Sequence, residues 1–367
     1  MLSLPEPTGL HPVGTTSLHL IDASRPDPWA VGVDVRELMI SLWYPAVPSD
    51  GPRAQYMTSA ESELQLTSRG ITGVPPAILS TTRTNAVSDA TPAGDGRALA
   101  LVVLSPGFVN SRSALTALAE DLASHDYVVV GIDHTYESFG TAFPDGRVTT
   151  SRARQGRNRG EGFWEKAAAG RAADVSFLLS ELTGARPPWP GAGLIDPSLI
   201  GMAGHSLGGA AAISAMLADS RILAGIDMDG SLHVPVPDAG LSRPFLFLGK
   251  QSNYTPGSGG SVESWERDWK LLTGWKRWLL VAGAIRSVST PAPSFPEPGA
   301  WTSPAPMSGP SSTTTCAAHH RHCWTSRHRA TPRSRSRLPE LKYARHAWWR
   351  GCGVGALPCG TYSSTGR

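Results

Sequence analysis

The chain has 367 residues and a formal net charge of +3, long enough for one large α/β domain or two small ones and a substantial core. That small charge hides two regions: residues 1–284 hold 22 Lys+Arg against 28 Asp+Glu, while residues 285–367 hold 11 against 2. All four cysteines, Cys316, Cys323, Cys352 and Cys359, fall in the second region, which excludes a disulfide or a cysteine-ligated metal from the first 284 residues.

Taken in chain order, residues 17–21 and 37–44 are short apolar, β-branched runs bounded by Pro, Gly and Asp, and they predict an antiparallel edge. Residues 45–97 are rich in Pro, Ser, Thr and Gly and predict loop, with one short helix over 58–66. From Ala98 strand and helix alternate. Residues 99–104 and 127–132 are continuous apolar runs, as in strands buried on both faces, and a helix over 113–124 joins them. A long helix over 162–183, a strand over 199–203, a small-residue helix over 207–218, strands over 222–228 and 244–248, a helix over 262–272 and a strand over 278–281 complete the pattern. Such alternation predicts a mainly parallel, doubly covered α/β sheet over residues 1–284.

After Ala284 the pattern stops. The last 83 residues contain no Asp, Asn or Gln and only six Ile, Leu or Val, and dense Pro, Ser, Thr, Arg, His and Cys, so they read as a basic, low-complexity tail without a core of its own. Arginine outnumbers lysine 28 to 5 over the whole chain, a mark of GC-rich coding sequence.

Between the predicted strand at 199–203 and the helix at 207–218 stands Gly204-His205-Ser206-Leu207-Gly208. A serine hydroxyl becomes a useful nucleophile on a tight turn beside a base, under N–H groups that receive an oxyanion. Small residues two places either side permit that turn, and the strand-turn-helix context lifts the motif above a chance glycine pattern. Ser206 is therefore the expected nucleophile. A carboxylate is needed at the end of a following strand, and Gly225-Ile226-Asp227-Met228-Asp229 offers two, two residues apart and so expected on one face. Asp229, nearer the tip, is preferred, with Asp227 as the alternative or as a structural carboxylate. The oxyanion donors expected are the N–H of Leu207 and, from the turn Ser105-Pro106-Gly107-Phe108-Val109, the N–H of Phe108. A plain apolar cover for the sheet edge is the other reading of Phe108.

With those parts placed, the sequence resembles the plasma-type platelet-activating factor acetylhydrolases and their bacterial α/β-hydrolase relatives. The resemblance runs over about residues 5–284 and rests on Trp43-Tyr44-Pro45, Ser105-Pro106-Gly107-Phe108, the elbow extended to Gly209, and the stretch from Gly225 to Asp229. It implies calcium-independent hydrolysis of short or oxidised acyl esters, sn-2 acetyl groups of phospholipids among them, with no cofactor. It also supports Asp229, because the family's acid follows its serine by the same interval. The resemblance further implies a catalytic histidine shortly after the last core strand, where this chain reads Val281-Ala282-Gly283-Ala284-Ile285-Arg286-Ser287, and no histidine occurs between His233 and His319.

Two explanations account for the missing base. Either His319, His320, His322 or His346 folds back to the site, or the reading frame shifts after about Ala284. An out-of-frame reading of GC-rich DNA yields the tail's composition, and the change falls where the histidine is due. A cutinase-like lipase or polyester hydrolase carries a similar elbow, and a chain with no base is a binding protein that turns nothing over.

The Cys316 to Cys323 cluster has zinc-ligand residue types at a spacing that fits no standard finger, and the arginine-rich run over 327–337 reads as a solvated basic tail rather than a nucleic-acid site. His205 is expected to flank the site, and His134 to line the pocket or lie on the surface. The partner expected is a small-molecule or lipid ester, with at most peripheral contact with a lipid surface. No run of about 18 apolar residues and no basic-then-apolar N-terminus occur, so the expectation is a cytoplasmic protein as written, or a secreted one should an upstream signal be missing.

Overall fold

The computed structural model describes residues 2–94, 96, 98–153 and 160–284. Two ten-residue strands open it, β1 (Val13–Asp22) and β2 (Arg36–Pro45), antiparallel in a register that pairs Val13 with Pro45 and Asp22 with Arg36. Helix α1 (Ser59–Ser68) follows with a capping box, in which Thr58 Oγ1 accepts from the Glu61 N–H at 3.2 Å and the Glu61 carboxylate accepts from the Thr58 N–H at 2.8 Å. A two-residue strand, β3 (Val87–Ser88), runs parallel to β1.

The alternating part then unfolds as β4 (Leu99–Ser105), α2 (Thr116–Ser124), β5 (Val128–His134), a minimal hairpin of β6 (Thr141–Ala142) and β7 (Val148–Thr149), α3 (Phe163–Thr183), β8 (Ile195–His205), α4 (Leu207–Ala218), β9 (Ile222–Met228), β10 (Phe245–Lys250), α5 (Gln251–Tyr254), α6 (Val262–Trp269) and β11 (Lys276–Val281). The expected helix over 113–124 is split: a 3-10 turn, Arg112–Leu115, leads into α2, with the Arg112 N–H donating to the Asp133 carboxylate at 2.6 Å. The helix expected over 262–272 ends at Trp269, and the last two strands and β8 begin within a few residues of where the pattern placed them.

The main sheet has nine strands in the order β11-β10-β9-β8-β4-β5-β2-β1-β3. From β11 to β5 every pairing is parallel; β2 joins β5 antiparallel. The chain adds β5 on one side of β4 and then returns to add β8 on the other, so the strand order reverses at β4, and the crevice of an open parallel sheet lies at the carboxyl ends of its strands at such a point. Alternation through the sheet explains the unbroken apolar runs. Leu101, Val103, Val128, Val130 and Met202 face a core built with α3, α4 and Trp265 of α6, while Val102, Leu104, Val129 and Ala203 face one built with α2. Among the described residues no helix is long and apolar enough to cross a membrane.

Candidate active site

At the β4 reversal, β8 ends at His205 and α4 begins at Leu207, leaving Ser206 alone to make the turn. Its backbone sits at φ 53° and ψ −121°, a region an L-residue occupies at a cost on the order of 1–3 kcal/mol. Strand β9 and helix α4 hold it there: the Ser206 N–H donates to Met228 O at 2.8 Å, and Ser206 O accepts from the Gly209 and Ala210 N–H groups at 2.9 and 3.0 Å. The flanking glycines are steric necessities. A Cβ on Gly208 would lie 2.0 Å from Ser105 O, and one on Gly204 would lie 2.2 Å from the Gly208 carbonyl carbon.

Ser206 opens into a cavity of about 480 Å³. Phe108, Trp164, Leu207 and His233 line one part of it, and Asp229, Ser231, Lys250, Asn253, Tyr254 and Ser261, with His205, supply the rest. The aromatic part is ordered edge to face: Phe108 packs on Trp164 at 5.3 Å and on Phe163 at 5.6 Å, and His233 stacks on Trp164 at 5.2 Å with 15° between the rings.

The two aspartates do not share a face, contrary to the expectation from their spacing. Strand β9 stops at Met228, and Asp229 takes a left-handed backbone, φ 62°, which breaks the two-residue alternation. Asp227 is fully buried beneath α4, where it accepts from the Gly230 N–H at 2.8 Å and from Trp265 Nε1 at 3.1 Å. Burial lifts its carboxyl well above the ordinary range. Asp229 instead lines the cavity with Ser206; its N–H donates to Leu248 O at 3.0 Å and its Oδ1 accepts from the Lys250 N–H at 2.8 Å. Of the pair, Asp229 has the position to orient a base beside Ser206.

The turn after β4 lies against the elbow. Gly107 faces the His205 ring, 2.9 Å from where a Cβ would stand, and Phe108 lines the cavity. Leu207 is the first residue of α4, where N–H groups lack intrahelical acceptors and favour negative charge. The two segments named from sequence as oxyanion donors thus meet at one cavity.

His205 flanks the site as expected, and burial, with Lys250 and Arg171 close by, pushes its ring down to about 4. His233, which sequence reasoning did not single out, also lines the cavity; burial lowers it, Glu165 opposing and Arg267 assisting. His134 neither lines the cavity nor lies at the surface: it is 1% exposed, hydrogen-bonded to Ser105 and Asp174. The expectation failed because the strand continues through His134 and is covered on both sides. His319, His320, His322, His346, the Cys316 to Cys323 cluster, the 327–337 basic run and the whole 285–367 tail lie outside the described residues. Trp164 and Lys250, too, gave no sequence signal, since a tryptophan in a helix's first turn and a lysine at a strand end are ordinary.

Fold, elbow and cavity define an α/β-hydrolase of the serine-esterase class, a carboxylic ester hydrolase. Residues 3–151 match the family described as platelet-activating factor acetylhydrolase, isoform II. The chain is similar to a probable 1-alkyl-2-acetylglycerophosphocholine esterase of Arthroderma benhamiae, 26% identical over 81% of this chain and 78% of the relative. It is also similar to the platelet-activating factor acetylhydrolase of Cavia porcellus, 25% identical over 68% of this chain and 61% of the relative. Among solved structures, a ferulic acid esterase from Streptomyces cinnamoneus superposes with a TM-score of 0.66 at 43% identity, covering 76% of each chain. The likeness to platelet-activating factor acetylhydrolases thus rests on the family match over residues 3–151 and on two relatives so named.

Proposed function

We propose that Ser206 is the nucleophile of a short-acyl ester hydrolase. Its Oγ attacks the acyl carbonyl, the Leu207 and Phe108 N–H groups receive the oxyanion, and Asp229 orients a histidine that takes the serine proton and returns it to the leaving alcohol. Water then releases the acyl group from Ser206 by the same steps. The observation that carries this reading is the strained Ser206 turn opening into the cavity that Asp229 also lines. The family match over residues 3–151 and the name of the fungal relative favour an acetyl ester, including that of an alkyl-acetyl-glycerophosphocholine.

The histidine belongs to the stretch after Val281, and a frame change after about Ala284 is the simplest account of its absence from the sequence. Reading the gene across codons 283–291 tests that account: an alternative frame that restores a histidine supports it, and none sinks it. A fluorophosphonate probe tests the nucleophile. Labelling of the folded protein that disappears in Ser206→Ala, with faster hydrolysis of p-nitrophenyl acetate than of a long-chain ester, is the expected result; a folded protein that never labels is instead a binding protein.

A second reading concerns the acyl group. The Phe108, Trp164 and His233 wall offers stacking surface to a planar aromatic acid, and the structural relative is named for ferulic acid. Faster hydrolysis of methyl ferulate than of a matched aliphatic methyl ester favours it over an acetylhydrolase.

A further inference from the structure

Beneath the cavity runs a second serine–histidine–aspartate chain that no substrate can reach. His134 Nδ1 lies 2.8 Å from Asp174 Oδ2, and His134 Nε2 lies 2.9 Å from Ser105 Oγ. Ser105 and Asp174 are 0% exposed and His134 1%, so it has no access to an ester. Arg171 of α3 joins it from the side. Its Nη1 donates to Pro106 O at 2.5 Å and to Ser105 Oγ at 3.3 Å, and its Nε donates to Glu137 Oε2 at 2.9 Å. Asp174 is itself held by Arg36, with bonds of 3.0 and 2.7 Å, and by Arg25.

The donors fix every proton. Burial opposes charge on Asp174, but Arg36 and His134 outweigh it and hold the carboxyl well below its ordinary range, so Asp174 accepts and His134 Nδ1 carries hydrogen. Burial and the nearby Arg171 keep the ring neutral, so Nε2 accepts from the Ser105 hydroxyl, whose oxygen in turn accepts from Arg171. The chain therefore runs in one direction, from Arg171 through Ser105 and His134 to Asp174, and it holds the first two residues of the turn that carries Phe108.

We infer that Arg171, Ser105 and His134 are positioning residues for the oxyanion turn. This rests on the proposed role of the Phe108 N–H. The Pro106 carbonyl and the Ser105 hydroxyl are tied to Arg171 of α3 and His134 of β5, side chains that do not line the cavity, so the start of the turn is fixed from below while the Phe108 ring packs on Phe163 and Trp164 at its far end. The carbonyls of Ser105 and Pro106 also lie against Gly208 of the elbow, 2.0 and 2.7 Å from where its Cβ would stand, so the turn and the start of α4 are packed together.

Ser105→Ala, which deletes a single oxygen, Arg171→Met and Arg171→Lys test the assignment. Hydrogen exchange of the 105–110 backbone and kcat and KM on p-nitrophenyl acetate are measured together. The expected result is faster exchange confined to 105–110 and a kcat lowered about ten- to a hundredfold with KM within about twofold. Arg171→Lys, which still donates to Pro106 O, recovers part of both. Wild-type exchange at 105–110, or faster exchange with unchanged kcat, overturns the assignment and leaves the chain a structural pillar. Should the protein hydrolyse no ester even in an Arg286→His background, the esterase reading fails while exchange in Ser105→Ala still decides whether the chain orders the turn.

Discussion

Asp229 and Lys250 are linked through the main chain of the next strand: the Lys250 N–H donates to Asp229 Oδ1 at 2.8 Å, and in the parallel register Lys250 stands opposite Val281 of β11. The carboxylate is thereby held against the end of β10, next to β11. Arg286→His, which restores a histidine at about the position the family pattern calls for, is expected to raise kcat on p-nitrophenyl acetate by roughly a hundredfold or more, the range of general-base catalysis. Unchanged kcat in a chain that still labels at Ser206 would place the base elsewhere.

Separate substitutions distinguish the two aspartates. Asp229→Asn is expected to lower kcat by as much as about 10⁴-fold, as loss of an orienting carboxylate does, while the melting temperature stays near that of the parent. Asp227→Asn should do the reverse. An amide there turns a donor toward either the Gly230 N–H or the Trp265 indole N–H, costing about 1–3 kcal/mol of stability. Thermal melts and ester kinetics on both variants check this, and a rate loss larger for Asp227→Asn than for Asp229→Asn would reverse the assignment. Each comparison requires a protein competent to turn over, so the Arg286→His background serves if the parent is too slow.

Gly208→Ala measures how tightly elbow and turn are joined. Its Cβ would stand 2.0 Å from Ser105 O, a backbone atom that cannot move without the β4 end. Overpacking of that kind costs about 3 kcal/mol, or roughly 6–12 °C in melting temperature for a domain of this size. A melt indistinguishable from the parent's would mean the two segments part easily.

His205 makes a pH prediction. Its ring is held at about 4 in the folded chain against an ordinary 6.5, so between those values the unfolded chain binds a proton that the folded chain refuses. This contribution to stability is present above pH 6.5 and is lost as pH falls toward 4, reaching about 3 kcal/mol. Denaturant melts of the parent and His205→Gln at pH 7 and pH 4 should show the gap between them shift by that amount in favour of the variant. Because Lys250 helps hold the ring down, Lys250→Gln should move the His205 titration upward in a proton NMR experiment.

Local chemistry was the legible part. The elbow and the apolar strands declare themselves within a few residues of chain, so sequence located the β4–β5 and β8–α4 units and Ser206, and it placed a short helix close to α1. The choice of Asp229 over Asp227 had a sequence rationale, but the reason they differ, a left-handed residue ending β9, is not visible in alternation. The network beneath the turn was not legible at all: Arg36, Ser105, His134, Arg171 and Asp174 come from four elements and meet only when the sheet forms. The two-residue strands β3, β6 and β7 are too short for any periodicity to register.

The Ser206 N–H rests on Met228 O, the Asp229 N–H on Leu248 O, and the Lys250 N–H on Asp229, so the strand ends form a staircase from β8 outward to the sheet's rim. The first two steps lean on the strand beyond through main-chain atoms, and the third returns from Lys250 to the Asp229 carboxylate. A lesion beyond β11 would therefore leave these strand ends, and the strained Ser206 turn that rests on them, in place.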